Sequence, residues 1–198
     1  PANRENPLTE DQIMTGPLEK TNENYALAKI VGSRMVEAVA LDYKYNWRTF
    51  IASNLYGPND HFESDKSHLL SAIIFKALEA KKNRSSIEMW GDGTPRREFT
   101  YVGDFSNWIS KSINNLYELP QYLNLGIGID YTVRQYYQFV LDAIDYRTEI
   151  IPNLVKPNGN MRKLMDSTKA KQFGWDPKTS IQIGIENTIN WYISNKVA

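Results

Sequence analysis

The helical period of Asn24 to Tyr43 gives way, after a short turn, to an apolar β-type run from Trp47 to Leu55, which Gly57-Pro58 breaks into a loop. Helix, turn and apolar strand in that order make half of an α/β unit, and this order restricts the chain to an α/β architecture. At ~3.6 residues per turn, Tyr25 and Lys29 stack on one face of the helix. Leu27, Ile30, Val31 and Ala38 lie roughly opposite and are expected to enter a core. The polar pair then looks outward. An ammonium beside a phenol favours the phenolate, which suits a phenol that donates its proton near neutral pH. A second Tyr-x-x-x-Lys, Tyr192 and Lys196, falls on a terminal amphipathic helix and reads as structural. The pair alone therefore identifies no active site.

In open α/β sheets ligands sit beyond the carboxyl ends of strands, which would put Asn54 and Tyr56 beside one. A turn with an asparagine cap accounts for the same residues equally well. Ser67 then reads as the N-cap of a helix from His68 to Ala80, with Leu69, Ala72, Ile73 and Leu78 as its buried stripe and His68 in the first turn. A histidine at such a corner is either an acid/base group or merely exposed. Ile87 to Trp90 is a short strand entering the turn Gly91-Asp92-Gly93-Thr94-Pro95, and the sequence alternates again from Arg97 to Val102. The two runs read as a small hairpin or strand pair carrying Trp90 and Arg97 near its turn. Arg97 has forked donors that suit a diphosphate, and Trp90 a face that suits a base or sugar; a surface ion pair of Arg97 with Glu98 or Asp92 is the competing reading.

Further on, Asp104 caps a helix to about Asn115, Tyr122 to Gly128 is a strand, and Thr132 caps the helix Val133 to Ile144. Glu149 to Leu154 is a strand, Lys156 to Lys163 a basic turn, and Asp166 to Phe173 a short helix; Ser180 caps a last helix to about Asn195. Gly126-x-Gly128 lacks the third glycine of a dinucleotide fingerprint. This later part has no regular βαβ rhythm, as expected of a smaller α+β lobe.

Charge narrows the partners. Lys plus Arg and Asp plus Glu balance at 23 each, so no basic field points to nucleic acid. With no cysteine and only His61 and His68, thiolate or histidine-rich metal sites and disulfides are not expected, and a cytoplasmic location fits. No apolar run approaches the ~20 residues of a membrane span. Pro1 to Thr21 is polar and loop-like, so the chain is expected to be the later part of something longer.

The ordered segments Asn24-Tyr25-Ala26-Leu27-Ala28-Lys29, Asn54-Leu55-Tyr56-Gly57-Pro58, Ser67-His68, Trp90-Gly91, Pro95-Arg96-Arg97-Glu98-Phe99 and Arg162-Lys163-Leu164-Met165-Asp166 together resemble the GDP-L-fucose synthase family. These enzymes, GDP-4-keto-6-deoxymannose 3,5-epimerase-4-reductases, are extended short-chain dehydrogenase/reductases, and the likeness spans essentially the whole chain. It implies the latter part of a Rossmann-type doubly wound parallel sheet plus a smaller α+β substrate-binding lobe. Residues 1–56 would end the NADP-binding domain, and 57–198 would form mainly the nucleotide-sugar lobe, with some segments returning to the Rossmann domain.

The resemblance also implies roles. Tyr25 would protonate the oxygen at C4 while NADPH delivers hydride to the carbon, and Lys29 would tune Tyr25 and hold the nicotinamide ribose. Ala52, Ser53, Asn54 and Leu55 would pass beside the nicotinamide. His68 would be the acid/base group of epimerisation, next to cofactor and sugar. Asn54, Lys76, Trp90, Arg97, Asn158 and Lys163 would line the GDP-sugar site. No metal is implied, and a cytoplasmic homodimer is.

Where the chain departs from the family, substrate identity is more affected than reaction class. Lys76 stands for a usual arginine, Ala52 for a proline and Asn158 for an aspartate. The family's glycine-rich NADP loop, catalytic serine and epimerisation cysteine would precede Pro1, so the 198-residue piece by itself is expected neither to bind NADPH well nor to turn over. The alternatives are a 4-keto reductase without epimerisation on a related nucleotide sugar such as a GDP-heptose, and a non-catalytic nucleotide-sugar-binding fragment.

Overall fold

The computed structural model describes residues 7–62, 67–156 and 160–196. Helix α1 (Glu23–Tyr43) ends at Lys44, which takes a left-handed conformation and returns its N–H to Ala40 O. The chain then enters β1 (Thr49–Ala52) and, after Ser53, β2 (Asn54–Tyr56). The expected single strand is thus two, because the run changes partner at Ser53. β1 pairs in parallel with β6 (Tyr122–Leu125), and β2 pairs in parallel with β5 (Phe99–Tyr101).

Helix α2 (Leu69–Asn83) follows, and its N-cap is His68, not Ser67. β3 (Ile87–Trp90) buries Ile87 and Met89 and exposes Glu88 and Trp90, as the two-residue period of a strand requires. The hairpin expected here does not form. β3 pairs in parallel with β8 (Ile150–Asn153), while β4 (Arg96–Arg97) is the middle of a separate three-stranded sheet. The turn between them packs instead on helix α4 (Val133–Ala143), where Val133 and Arg134 donate their N–H groups to Pro95 O and Gly93 O.

Helix α3 (Val102–Ser112) begins before Asp104, whose carboxylate accepts from Thr179 N and Oγ1 instead of capping. β7 (Tyr131–Thr132) leads into α4 (Val133–Ala143), where Thr132 and Gln135 form the expected cap as a reciprocal capping box. β9 (Arg162–Lys163), α5 (Thr168–Lys171) and α6 (Ile181–Lys196) complete the chain. Ser180 supports the start of α6 through its Oγ and carbonyl, as its sequence position suggests.

Two apolar clusters hold these elements. Ile73, Ile74 and Ala77 of α2, Tyr136 and Val140 of α4 and Ile185 of α6 pack with Tyr56, Met89 and Phe99. Trp108, Leu123, Leu125, Ala170 and Trp175 form the second cluster, with Phe50 of β1 against it. Tyr192 packs on Phe62 beside the first cluster, which fits its structural reading. The architecture is α/β with parallel pairing between β1 and β6, β2 and β5, and β3 and β8.

Helix α1 differs from expectation. Leu27, Val31 and Ala38 are exposed, Ile30 is half-buried, and only Ala40 is buried. Tyr122 of β6 donates to Glu37 Oε2 of the helix at 2.9 Å, a carboxylate that Arg34 of the same helix also meets at 2.6 Å. Among the described residues nothing lies over the apolar stripe, and no helix is long and apolar enough to cross a membrane.

Candidate active site

On α1, Tyr25 and Lys29 sit one turn apart on the exposed side, with Lys29 Nζ 5.4 Å from the Tyr25 ring centroid. Helix α1 lies against β1, so the carboxyl end of that strand is the nearest candidate partner. There Ala52 and Ser53 are half-buried, and Ser53 Oγ shares a 2.7 Å hydrogen bond with the buried Thr100 hydroxyl. Asn54 is exposed, and its Nδ2 donates to Glu98 O at 2.8 Å. That bond fixes the amide's orientation and leaves its oxygen to face a ligand. Leu55 is half-buried in β2 and pairs with Thr100.

Lys76 and Trp90 are brought together. They line a cavity of about 120 Å³ with Ser67, Leu69, Val133 and Tyr137. The hydroxyl of Ser67, displaced from capping, has no hydrogen-bond partner among the described residues. Lys76 Nζ lies 4.7 Å from the Trp90 ring centroid and Lys156 Nζ 4.8 Å from it. Glu88 orients the indole, accepting from Trp90 Nε1 at 3.1 Å and from Asn153 Nδ2 at 2.7 Å. Those two hydrogen bonds hold the Glu88 carboxyl below its ordinary range. Burial lowers the Lys76 ammonium, an effect Glu88 opposes and Lys156 reinforces. Two ammonium groups crowd one aromatic ring here, and an anion between them would relieve their repulsion.

Arg97 and Lys163 form the other pair. β4 and β9 run parallel with Arg97 opposite Lys163 and Arg96 opposite Arg162. Arg97 ion-pairs with neither Glu98 nor Asp92: its Nη1 donates to Arg96 O and Asn160 O. Burial lowers its pKa, and Glu19 is the acidic neighbour that pulls it back up. Arg96 and Arg162, one residue earlier on each strand, both bind the buried Asp130. Because strand residues alternate sides, the Asp130 carboxylate holds one pair of cations together and the other pair lies toward the opposite face.

Two further candidates fall differently. His68 is exposed at the N-cap of α2, and Asn158 lies outside the described residues. Among the described residues no hydrogen bond, ion pair or ring contact ties Tyr25, Lys29 or His68 to the cation-lined surfaces, and no cluster of acidic or histidine side chains suits a metal ion. Glu88, Lys156, Asp130 and Glu98 were not singled out from the sequence as site residues. The strand period that puts Glu88 beside Trp90 was visible; the partners of the other three come from distant segments.

Residues 1–128 match the sequence profile described as the NAD dependent epimerase/dehydratase family. GDP-L-fucose synthase of Azorhizobium caulinodans is 43% identical over 195 residues, covering 98% of this chain and 62% of its own length. GDP-L-colitose synthase of Yersinia pseudotuberculosis is 40% identical over 191 residues, covering 96% and 62%. The structure of MlghC, a GDP-mannoheptose C4 reductase from Campylobacter jejuni with NADP bound, superposes with a TM-score of 0.83 at 28% identity, covering 98% of this chain and 66% of that one. The chain thus spans 62% of the length of each of these two relatives. The profile match takes in α1 with its Tyr25–Lys29 pair, both strands of the β1–β2 run and their partners β5 and β6, and by it the chain belongs to the NAD dependent epimerase/dehydratase family.

Proposed function

We propose that the whole protein carries out NADPH-dependent reduction, with 3,5-epimerisation, of a GDP-4-keto-6-deoxy sugar to GDP-L-fucose or a close relative. The observation that carries this reading is the pairing of cations on two surfaces: Lys76 with Lys156 around the Trp90 indole, and Arg97 beside Lys163 on adjacent strands. A chain of zero net charge that gathers cations in pairs, two of them beside an exposed aromatic face, suits a nucleoside diphosphate.

The residues fit a nicotinamide cofactor on the α1 side. A phenol and an ammonium one turn apart on an exposed face offer the donors that a ribose takes, and Ala52 ends the parallel strand β1, with Ser53, Asn54 and Leu55 following it into β2, where such a ligand binds. NADP(H), when bound, supplies the hydride. Tyr25 gives its proton to the oxygen at C4, and Lys29 stabilises the phenolate that remains and holds the ribose. His68 serves as the acid/base group at C3 and C5. Asn54, Lys76, Trp90, Arg97, Asn158 and Lys163 bind the GDP-sugar.

Residues 1–56 then close the cofactor domain, and 57–198 form mainly the sugar-nucleotide lobe. Pairing of β5 and β6 with the earlier strands supports the return of later segments to the cofactor domain. The protein works in the cytoplasm as a homodimer, without nucleic acid or membrane partners.

A second reading, C4 reduction without epimerisation on a GDP-heptose, is favoured by the likeness to the heptose reductase and by Lys76. Incubation with GDP-4-keto-6-deoxymannose and NADPH in deuterated water separates the two. Deuterium at C3 and C5 of the product supports epimerisation; NADPH oxidation without exchange leaves a reductase. A Tyr25→Phe variant that keeps near-normal turnover overturns the assignment of the acid.

A further inference from the structure

We infer that Glu98 is a positioning residue that sets Arg97, Lys163 and Asn54 in place for the diphosphate-sugar, an inference that rests on the function proposed above. β4 and β9 have two residues each, too few for ladder hydrogen bonds alone to fix where their cations point. Asp130 clamps one side of the pair through Arg96 and Arg162. Glu98 acts at the other end. It directly follows Arg97 and is 1% exposed. Its Oε1 accepts from Gly128 N at 2.7 Å and its Oε2 from Met165 N at 3.0 Å. Its main-chain oxygen accepts from Asn54 Nδ2 at 2.8 Å.

One residue therefore binds the start of β2, the loop after β6 and the exit of β9, of which β2 carries Asn54 and β9 carries Lys163. Gly126 shows how closely the loop is drawn in: a Cβ there would lie 2.8 Å from Glu98 Cδ and 2.9 Å from Oε2. No cation pairs with this carboxylate among the described residues; backbone amides alone receive it. Burial raises its pKa against the opposing pull of the amides of Gly128, Met165 and Ile127, with Asp130 adding to the rise. A carboxylate kept in so unfavourable a place adds nothing to the apolar core. What it supplies is two acceptor oxygens on one rigid stem, and glutamine has only one.

The test is Glu98→Gln in the whole protein, measured by calorimetric titration with GDP and with guanosine, and by steady-state kinetics with the 4-keto sugar nucleotide. An amide nitrogen would face one of the two N–H groups, shifting a strand end by a fraction of an ångström or more. GDP affinity is expected to fall roughly ten- to hundredfold with guanosine affinity unchanged, and KM for the sugar nucleotide to rise more than kcat falls. Glu98→Asp keeps the charge but reaches only one donor, and it carries the test with an intermediate loss if the Gln variant does not fold. A folded variant that binds GDP within about twofold of wild type, or one that loses guanosine and GDP equally, overturns the inference. Failure of the wild-type protein itself to bind GDP would overturn the proposed function instead.

Discussion

Replacing Asp130 with Asn tests how the three-stranded sheet is held. The Asp130 side chain is 3% exposed; it accepts from Arg96 Nε at 2.9 Å and from Arg162 Nε at 2.5 Å. A charge-assisted hydrogen bond contributes about 1.5–3 kcal/mol, so two in a dry site would give about 3–6 kcal/mol. This site is not dry on both sides. The Arg96 and Arg162 side chains are 40% and 45% exposed, so water recovers the guanidinium groups in the variant. The amide oxygen of Asn still accepts one bond, and Arg96 keeps its bond to the Asp130 main-chain oxygen. The expected loss is therefore about 2 kcal/mol, read as a lower urea midpoint at unchanged slope.

Titration gives the same experiment a sign. Burial alone would raise the Asp130 carboxyl, but hydrogen bonds and charge from Arg162 and Arg96 outweigh it, and the net shift is downward. A carboxyl lowered in the folded state contributes stability above its unfolded value of about 4 and loses it as pH falls through the folded value. The gap between wild type and Asp130→Asn should be full at pH 7 and should close below about pH 4. A variant within about 0.5 kcal/mol of wild type at pH 7, or a gap that widens in acid, refutes this account of the clamp.

Gly126→Ala should cost about 1–3 kcal/mol, because the new methyl meets a carboxylate held on two sides, and urea unfolding of the variant checks it. Lys156→Ala should weaken GDP binding a few-fold at low salt, with the difference fading in about 1 M salt, as titrations at both ionic strengths will reveal. Trp90→Ala should cost about 1–3 kcal/mol of GDP affinity if the indole supports the base; unchanged binding would remove Trp90 from the site. Glu88→Gln, which keeps a carbonyl for one donor only, should loosen the indole and shift its fluorescence without unfolding the chain.

Local signals were legible wherever one segment decides its own structure. The existence of helices α1, α2, α4 and α6 and the Thr132–Gln135 cap follow from residues within one or two turns of each other. The buried face of α2, however, is Leu70, Ile73, Ile74 and Ala77, and of the expected stripe only Ile73 is buried while Leu69, Ala72 and Leu78 are half-buried. The hairpin failed because the choice of strand partner is tertiary: Ile87 to Trp90 alternates as a strand does, but its buried side chains are satisfied beside β8 and α4. Apolar residues on α1 were recognised, yet burial depends on what lies opposite, and Leu27 and Val31 meet nothing among the described residues. Ser67 read as a cap because serine caps helices; the helix starts one residue later and His68 takes the place. Local motifs mark Tyr25, Lys29, Trp90 and Arg97 as candidates, whereas nothing local gives Glu98 or Asp130 its place, because what defines them is the company of distant backbone amides and guanidinium groups.

The order of charges along β4 and β9 shows how a neutral chain builds a cationic face. Both strands carry two adjacent basic residues, which in solution would repel one another and draw counterions indiscriminately. Pairing them in parallel puts all four charges on two registers, and the alternation of side chains sorts them to opposite sides. One buried carboxylate then bridges Arg96 and Arg162 and offsets half of their charge. The same act fixes the backbone from which Arg97 and Lys163 extend. Had an acid been supplied to each cation, no cationic face would remain; had none been supplied, four like charges would have splayed the short strands. Around Trp90 the solution differs: the indole, oriented by Glu88, holds Lys76 and Lys156 near its ring, and the Glu88 carboxylate feels both charges. A lysine at 76 suits this arrangement, since a compact ammonium with three rotatable donors can follow a ligand's oxygen, where a guanidinium would demand one fixed approach.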